Sequence, residues 1–180
     1  MKKVLSVLFS VALFAFSANT QKIYSTKSGS VSFFSKAPLE DITAKTSEVE
    51  SKMAPSNGQV VFMLLIKGFH FKNQLMEDHF NENYMESTKF PKSDFKGVIT
   101  NIKEINFEKD GSYPATVKGN LTIHGVTKEV QTTGTIDVKN GKVTAKCKFD
   151  IKVKDYGIKG AHFGTKISET INISVDCLYE

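Results

Sequence analysis

The sequence contains no arginine and no tryptophan, only four prolines and two cysteines, and almost no helical periodicity. Each shortage narrows what the chain can do. Without arginine there is no bidentate reader of phosphate. The 24 basic residues are all lysines that alternate along segments instead of clustering with aromatics, so nucleic acid is not an expected partner. Catalytic templates are missing as well: there is no Gly-x-Ser-x-Gly elbow, no phosphate-binding glycine loop and no activated-cysteine setting. His70 and His79 match no tight ligand spacing, and no metal, cofactor or enzymatic activity is expected. What the chain has in abundance is phenylalanine, fourteen of them with five methionines, which makes an apolar and adaptable interior.

The first segment reads as a leader. Met1, Lys2 and Lys3 form a positive start, Val4 to Ala18 is apolar apart from serines, and small residues follow. Cleavage is expected after Ser17 or after Thr20, leaving residues 21–180 as one domain of ordinary size. The apolar run is shorter than the roughly 20 residues of a spanning helix. The formal charge of +5 falls to +3 without Lys2 and Lys3, a mildly basic protein. The expected location is outside the cytoplasm, periplasmic where the source cell has an outer membrane.

Beyond the leader the apolar period is two. Ala115, Val117, Gly119, Leu121 and Ile123 share one face, against Thr116, Lys118, Asn120 and Thr122 on the other. A turn at Gly125-Val126 is followed by Val130, Thr132, Gly134, Ile136 and Val138. Asn140-Gly141 is a strong two-residue hairpin signal, feeding Val143, Ala145, Cys147, Phe149, Ile151 and Val153. The last strand aligns Ile167, Ile171, Ile173, Val175 and Cys177. Earlier candidates are a short start near Ile23–Tyr24, then Val31–Ser35, Ile42–Val49, Gln59–Lys67 and a long Phe95–Phe107 that turns at Asp110-Gly111 into a strand from Ala115. About eight strands with short connections predict an all-β fold, a single antiparallel up-and-down barrel or a sandwich. One segment departs from the pattern. Phe71, Leu75, Met76, Phe80, Tyr84 and Met85 fall at helical spacing, with Asn73 as a candidate cap. This amphipathic helix is the expected lid.

Several residues carry two readings. Cys147 and Cys177 lie on apolar faces of paired strands, either as a cross-strand disulfide or as two buried thiols. The small inward residues Gly97, Ala115, Gly119, Gly134 and Ala145 either leave volume near the axis or bend the strands. Glu169 takes an inward parity, as a buried carboxylate or as a strand-end group reaching solvent. Lys142, Lys146, Lys148, Lys152 and Lys154 form a solvated face, or one with weak, transient attraction to an anionic membrane. His124 is expected to hold the hairpin turn, and His162 to rim an opening from the 157–164 loop.

Three segments resemble the YceI-like family of secreted, lipocalin-like proteins. They are Leu75 to His79 with Asn83 to Phe95, then Val117-Lys-Gly-Asn-Leu-Thr-Ile-His-Gly-Val-Thr-Lys128, and Phe149-Asp-Ile-Lys-Val-Lys-Asp-Tyr-Gly-Ile158. The resemblance implies a lipocalin-like barrel enclosing the tail of a polyisoprenoid, with any polar head near the mouth. On that basis Phe62, Leu64, Phe71, Leu75, Phe80, Phe95, Ile99, Val117 and Leu121 are the expected cavity lining, with His79 at the head group. The rival expectations are an enzyme acting on an isoprenoid lipid and a solidly packed barrel with a structural role. Oligomeric state is not legible.

Overall fold

The computed structural model describes residues 22–179; the expected leader, with both of its cleavage points, lies outside them. Nine strands form one antiparallel sheet. They are β1 (Tyr24–Lys36), β2 (Asp41–Met53), β3 (Gln59–Leu65), the two-residue β4 (His70–Phe71), β5 (Lys92–Ile99), β6 (Gly111–Ile123), β7 (Val126–Lys139), β8 (Lys142–Lys152) and β9 (Thr170–Tyr179). Each long strand pairs with its sequence neighbour, β9 returns to β1, and β1 pairs with β2. Eight strands therefore close into a barrel, and β4 continues the edge of β2 where β3 has left it. The inside is apolar because inward positions alternate with outward lysine, threonine and asparagine along β5 to β9.

The first two strands read worse than the others. β1 is continuous from Tyr24, with register shifts on both sides of Gly29. A bulge changes which residues face in. Buried Thr26, Ser35, Thr46 and Ser51 then interrupt the apolar parity further. The Ser51 hydroxyl shares a 2.8 Å hydrogen bond with the Tyr179 hydroxyl and donates to the Val61 carbonyl, so its burial leaves no unmet donor.

Four expectations are corrected, and two open readings, of Glu169 and of the cysteines, are decided. The strand from Phe95 ends at Ile99, not Phe107. The Asn101 side chain accepts from Thr116 N at 2.8 Å and donates to Pro114 O, taking over the rungs of a departing strand. A 3₁₀ turn at Ile102–Glu104 follows, and Ile102, Ile105 and Phe107 close this end of the barrel. β6 accordingly starts at Gly111, earlier than Ala115. The β6–β7 turn residues are His124 and Gly125, with φ of 52° and 74°, because a tight hairpin here needs both in the left-handed region. Histidine holds that conformation through a 2.8 Å contact from Nε2 to Glu86 and a ring contact with Phe90 at 4.4 Å. Ile167 and Glu169 precede β9, and Glu169 is exposed. Finally, Cys177 pairs with Ala145 and Cys147 with Val175, a diagonal arrangement of two free thiols. Diagonal neighbours stand about 7–8 Å apart, beyond ordinary disulfide reach.

The expected helix is present but short. α1 runs Gln74–His79, starts at Asn73 whose side chain accepts from Leu75 N at 2.9 Å, and passes into one π turn at Phe80–Tyr84. Glu77 fastens it to the barrel by accepting from Phe71 N at 3.1 Å.

Candidate functional site

The inward faces enclose a cavity of about 490 Å³ along the barrel. One end is shut by Tyr24, Met53, Ile105, Phe107 and Tyr179, all part of one apolar cluster. The other end opens between α1 with its π turn and the 157–168 loop. These two covers touch: Tyr84 meets Phe163 edge-on at 5.7 Å, and Gly160 lies beneath the Tyr84 ring where any Cβ would collide.

The structure brings every expected lining residue to this one cavity. Phe62 and Leu64 come from β3, Phe71 from β4, Leu75 from α1, Phe80 from the π turn, Phe95 and Ile99 from β5, and Val117 and Leu121 from β6. His79 lies at the mouth with its side chain exposed, alongside His162, Lys166, Asn73 and Glu40. Sequence reasoning missed Phe33 and Phe69. Together with Phe71 and Phe80 they form a cluster with ring centroids 5.0 to 5.8 Å apart. Only Phe33 had a signal, its shared parity with Val31 and Ser35; Phe69 follows a 3₁₀ turn outside any alternation. Also missed were Val130, Phe149 and Ile173, whose alternation was plain but which come from β7, β8 and β9.

The phenylalanine cluster couples cover to barrel. Phe80 touches three other rings, and such pairs add to simple burial. Because Phe80 is only half-buried, Phe80→Ala is expected to cost about 2 kcal/mol, below the full range for a core phenylalanine. Urea denaturation checks the value, and amide exchange should quicken first in α1.

Space along the axis is shaped by Phe95. Its ring covers Gly97 and Gly119, and a Cβ on Gly119 would come within 2.7 Å of the ring tip. The glycines thus admit both a ring and the close approach of two strands. Gly134 in β7 similarly faces the Cys147 Cβ.

Burial dominates the titration of the two thiols. It pushes Cys147 up to about 11 and Cys177 to about 12, from an ordinary 9.0. The folded protein keeps both protons while the unfolded chain loses them near pH 9. The associated stability is complete below that pH and is lost as the pH rises through the folded values. Urea midpoints should fall above about pH 9, by up to about 1.4 kcal/mol per pH unit for each thiol, and Cys147→Ala should reduce the slope. At neutral pH a maleimide should label neither thiol until the protein unfolds.

The sequence model of the YceI-like domain matches residues 7–178, nearly the whole chain. The chain belongs to the YceI-like family. Solved structures agree in fold. A polyisoprenoid binding domain from Saccharophagus degradans, implicated in plant cell wall breakdown, is similar with a TM-score of 0.76 at 12% identity, covering 89% of this chain and 98% of that one. BcnA of Burkholderia cenocepacia gives 0.70 at 16% identity, over 84% and 96%. A YceI protein of Campylobacter jejuni gives 0.61 at 17%, over 81% and 88%. At such identities the likeness shows the YceI-like barrel, closed and lipocalin-like with one short helix, and nothing of the cargo. No curated protein sequence matches significantly.

Proposed function

We propose that this protein holds the hydrocarbon chain of a polyisoprenoid, or a comparably long lipid, inside the barrel, as a carrier or store and not as a catalyst. The observation that carries the reading is the cavity itself: about 490 Å³ walled almost wholly by apolar side chains, a size typical of small-molecule sites. The Saccharophagus domain, which shares the fold, is a polyisoprenoid binding domain. Each buried methylene contributes about 0.8 kcal/mol, so a long prenyl chain needs no polar reader for tight binding. Selection then follows cavity length and shape. A polar head would rest at the mouth, where His79, His162 and Lys166 offer donors. The positive, apolar start of the chain supports export, with the periplasm as the destination where an outer membrane exists.

Native mass spectrometry of protein isolated gently from its own cell envelope tests this. The expected result is a discrete added mass that disappears on organic extraction and returns with an added polyprenol. A clean unliganded mass that takes up no polyprenol would overturn the reading.

A further inference from the structure

The barrel wall is not laddered throughout. β7 and β8 pair only from Gly134 against Cys147 to Lys139 against Lys142. Toward the mouth, β7 from Val126 to Thr133 pairs only with β6, and β8 from Lys148 to Lys152 only with β9. A neighbouring strand normally sits about 4.8 Å away and its rungs seal the wall. Here the rungs stop, and the Thr132 hydroxyl reaches the Lys148 carbonyl only at a long 3.4 Å. The gap has a frame. Below it is the Gly134–Cys147 pair. Above it the 3₁₀ turn Val153–Tyr156 crosses back to β7, with Tyr156 O 3.4 Å from His124 Nδ1 and Gly157 beside Val126.

Two observations say what this window meets on each side. Inside, Val130, Thr132, Phe149 and Ile151 all line the cavity. Lys128 shares the inward parity of Val130 and pairs with buried Leu121, yet its side chain is exposed and lines no part of the cavity. Its long side chain therefore leaves the barrel for solvent at this point. Outside, Lys148 and Lys152 stand exposed on the opposite lip, and none of these three lysines has an ion-pair partner among the described residues. Of the acids nearby, Glu129 pairs with Lys118 at 3.2 Å and Asp150 accepts from Asn172 at 2.9 Å, while Asp155 stands exposed on the turn above the window. The end mouth is of mixed charge, with Glu77, Asp78 and Glu82 on α1 and its π turn beside Lys72, His79 and Lys166.

We propose that the window between β7 and β8 is a side entrance through which a lipid tail passes between an anionic bilayer and the cavity, with Lys128, Lys148 and Lys152 seating the protein on the bilayer. The proposal rests on the lipid-holding function above and adds a route and a partner to it. A tail crossing here goes from one apolar medium to another without passing between the two covers that touch at the mouth, and the lysines bring the window against the lipid surface.

Transfer of anthraniloyl-labelled solanesol from vesicles tests it, comparing phosphatidylcholine alone with phosphatidylcholine containing phosphatidylglycerol. Each lysine near an anionic surface is worth about fivefold in partition, so the triple variant K128Q/K148Q/K152Q should lower the rate from anionic vesicles by about a hundredfold. The rate from neutral vesicles and the final occupancy should stay unchanged. In a second arm, exposed Gln131→Cys on the window lip carries a maleimide-linked polyethylene glycol, and exposed Lys72→Cys carries the same polymer beside the end mouth. The window label should slow transfer at least about tenfold more than the mouth label. Equal slowing, slowing by the mouth label alone, or no effect of the lysine variant overturns the side entrance. Failure of every form, wild type included, to take up solanesol at equilibrium rejects the lipid-holding function instead.

Discussion

Val117→Trp should cut the affinity for a long prenol by about a hundredfold while leaving the barrel folded. Val117 sits mid-barrel on β6, paired with Ile99 on one side and Thr132 on the other, and all three face the cavity. An indole placed there projects into open volume, so the overpacking cost that normally follows small-to-large substitution is small. The same indole occupies the path of a tail. Displacing about four methylenes from apolar surroundings removes about 3 kcal/mol at about 0.8 each, which is roughly two decades in Kd. Titration with labelled solanesol reads the affinity, and thermal unfolding reads the fold. An unchanged Kd with an unchanged Tm would mean that the ligand does not thread past mid-barrel.

Gly119→Val should do the opposite and destroy the fold. Built on the backbone, a Cβ at Gly119 lies within 2.5 Å of Gly97 Cα and collides with the Lys96 carbonyl, so backbone would have to move in β5. The Phe95 ring tip, at 2.7 Å, blocks the remaining space. Such a clash belongs with the severe overpacking cases, and a loss of about 4 kcal/mol or more is expected from a domain whose whole stability is about 5–15 kcal/mol. Gly141→Ala is the control. Its φ of 75° disfavours any side chain, but nothing lies within 4 Å of the new Cβ, so the cost should be about 1 kcal/mol. Urea midpoints of the two variants separate a steric requirement for glycine from a conformational one.

Legibility followed local regularity. The inward side of β6, β7 and β8 was readable because each strand has one wet and one dry face, so parity reports orientation directly, though not where β6 begins or which residues make the β6–β7 turn. β1 and β2 were not, because bulges beside Gly29 shift parity and buried hydroxyls, satisfied by amides two residues on at Thr26 and Thr46 and by other strands at Ser51, look like outward ones. The expected strand from Phe95 ran past Ile99 into residues that form a 3₁₀ turn. The spacing of Ile99, Ile102 and Ile105 by threes was the available sign of a 3₁₀ turn. The wall positions on β3 to β6 and the lid were legible, whereas Phe33 on β1 was not, and Phe149 and Ile173 were recognisable as inward but not as facing the same space.

By itself the sequence determined the all-β architecture of about eight long strands, the hairpin at Asn140-Gly141, the capped lid helix and the inward side of most strands, but not the two-residue β4. These depend on neighbours within a few residues, through turn geometry, capping and the alternation of a pleated strand. Tertiary structure alone decided that a cavity remains in place of a packed core, which depends on how Phe95 folds over Gly97 and Gly119 and how four phenylalanines from separate elements meet. It also decided the diagonal placement of the two cysteines and the early end of the β7–β8 ladder. Register and closure are properties of strand pairs far apart in the chain, set by the sum of many weak contacts, and no local pattern encodes them.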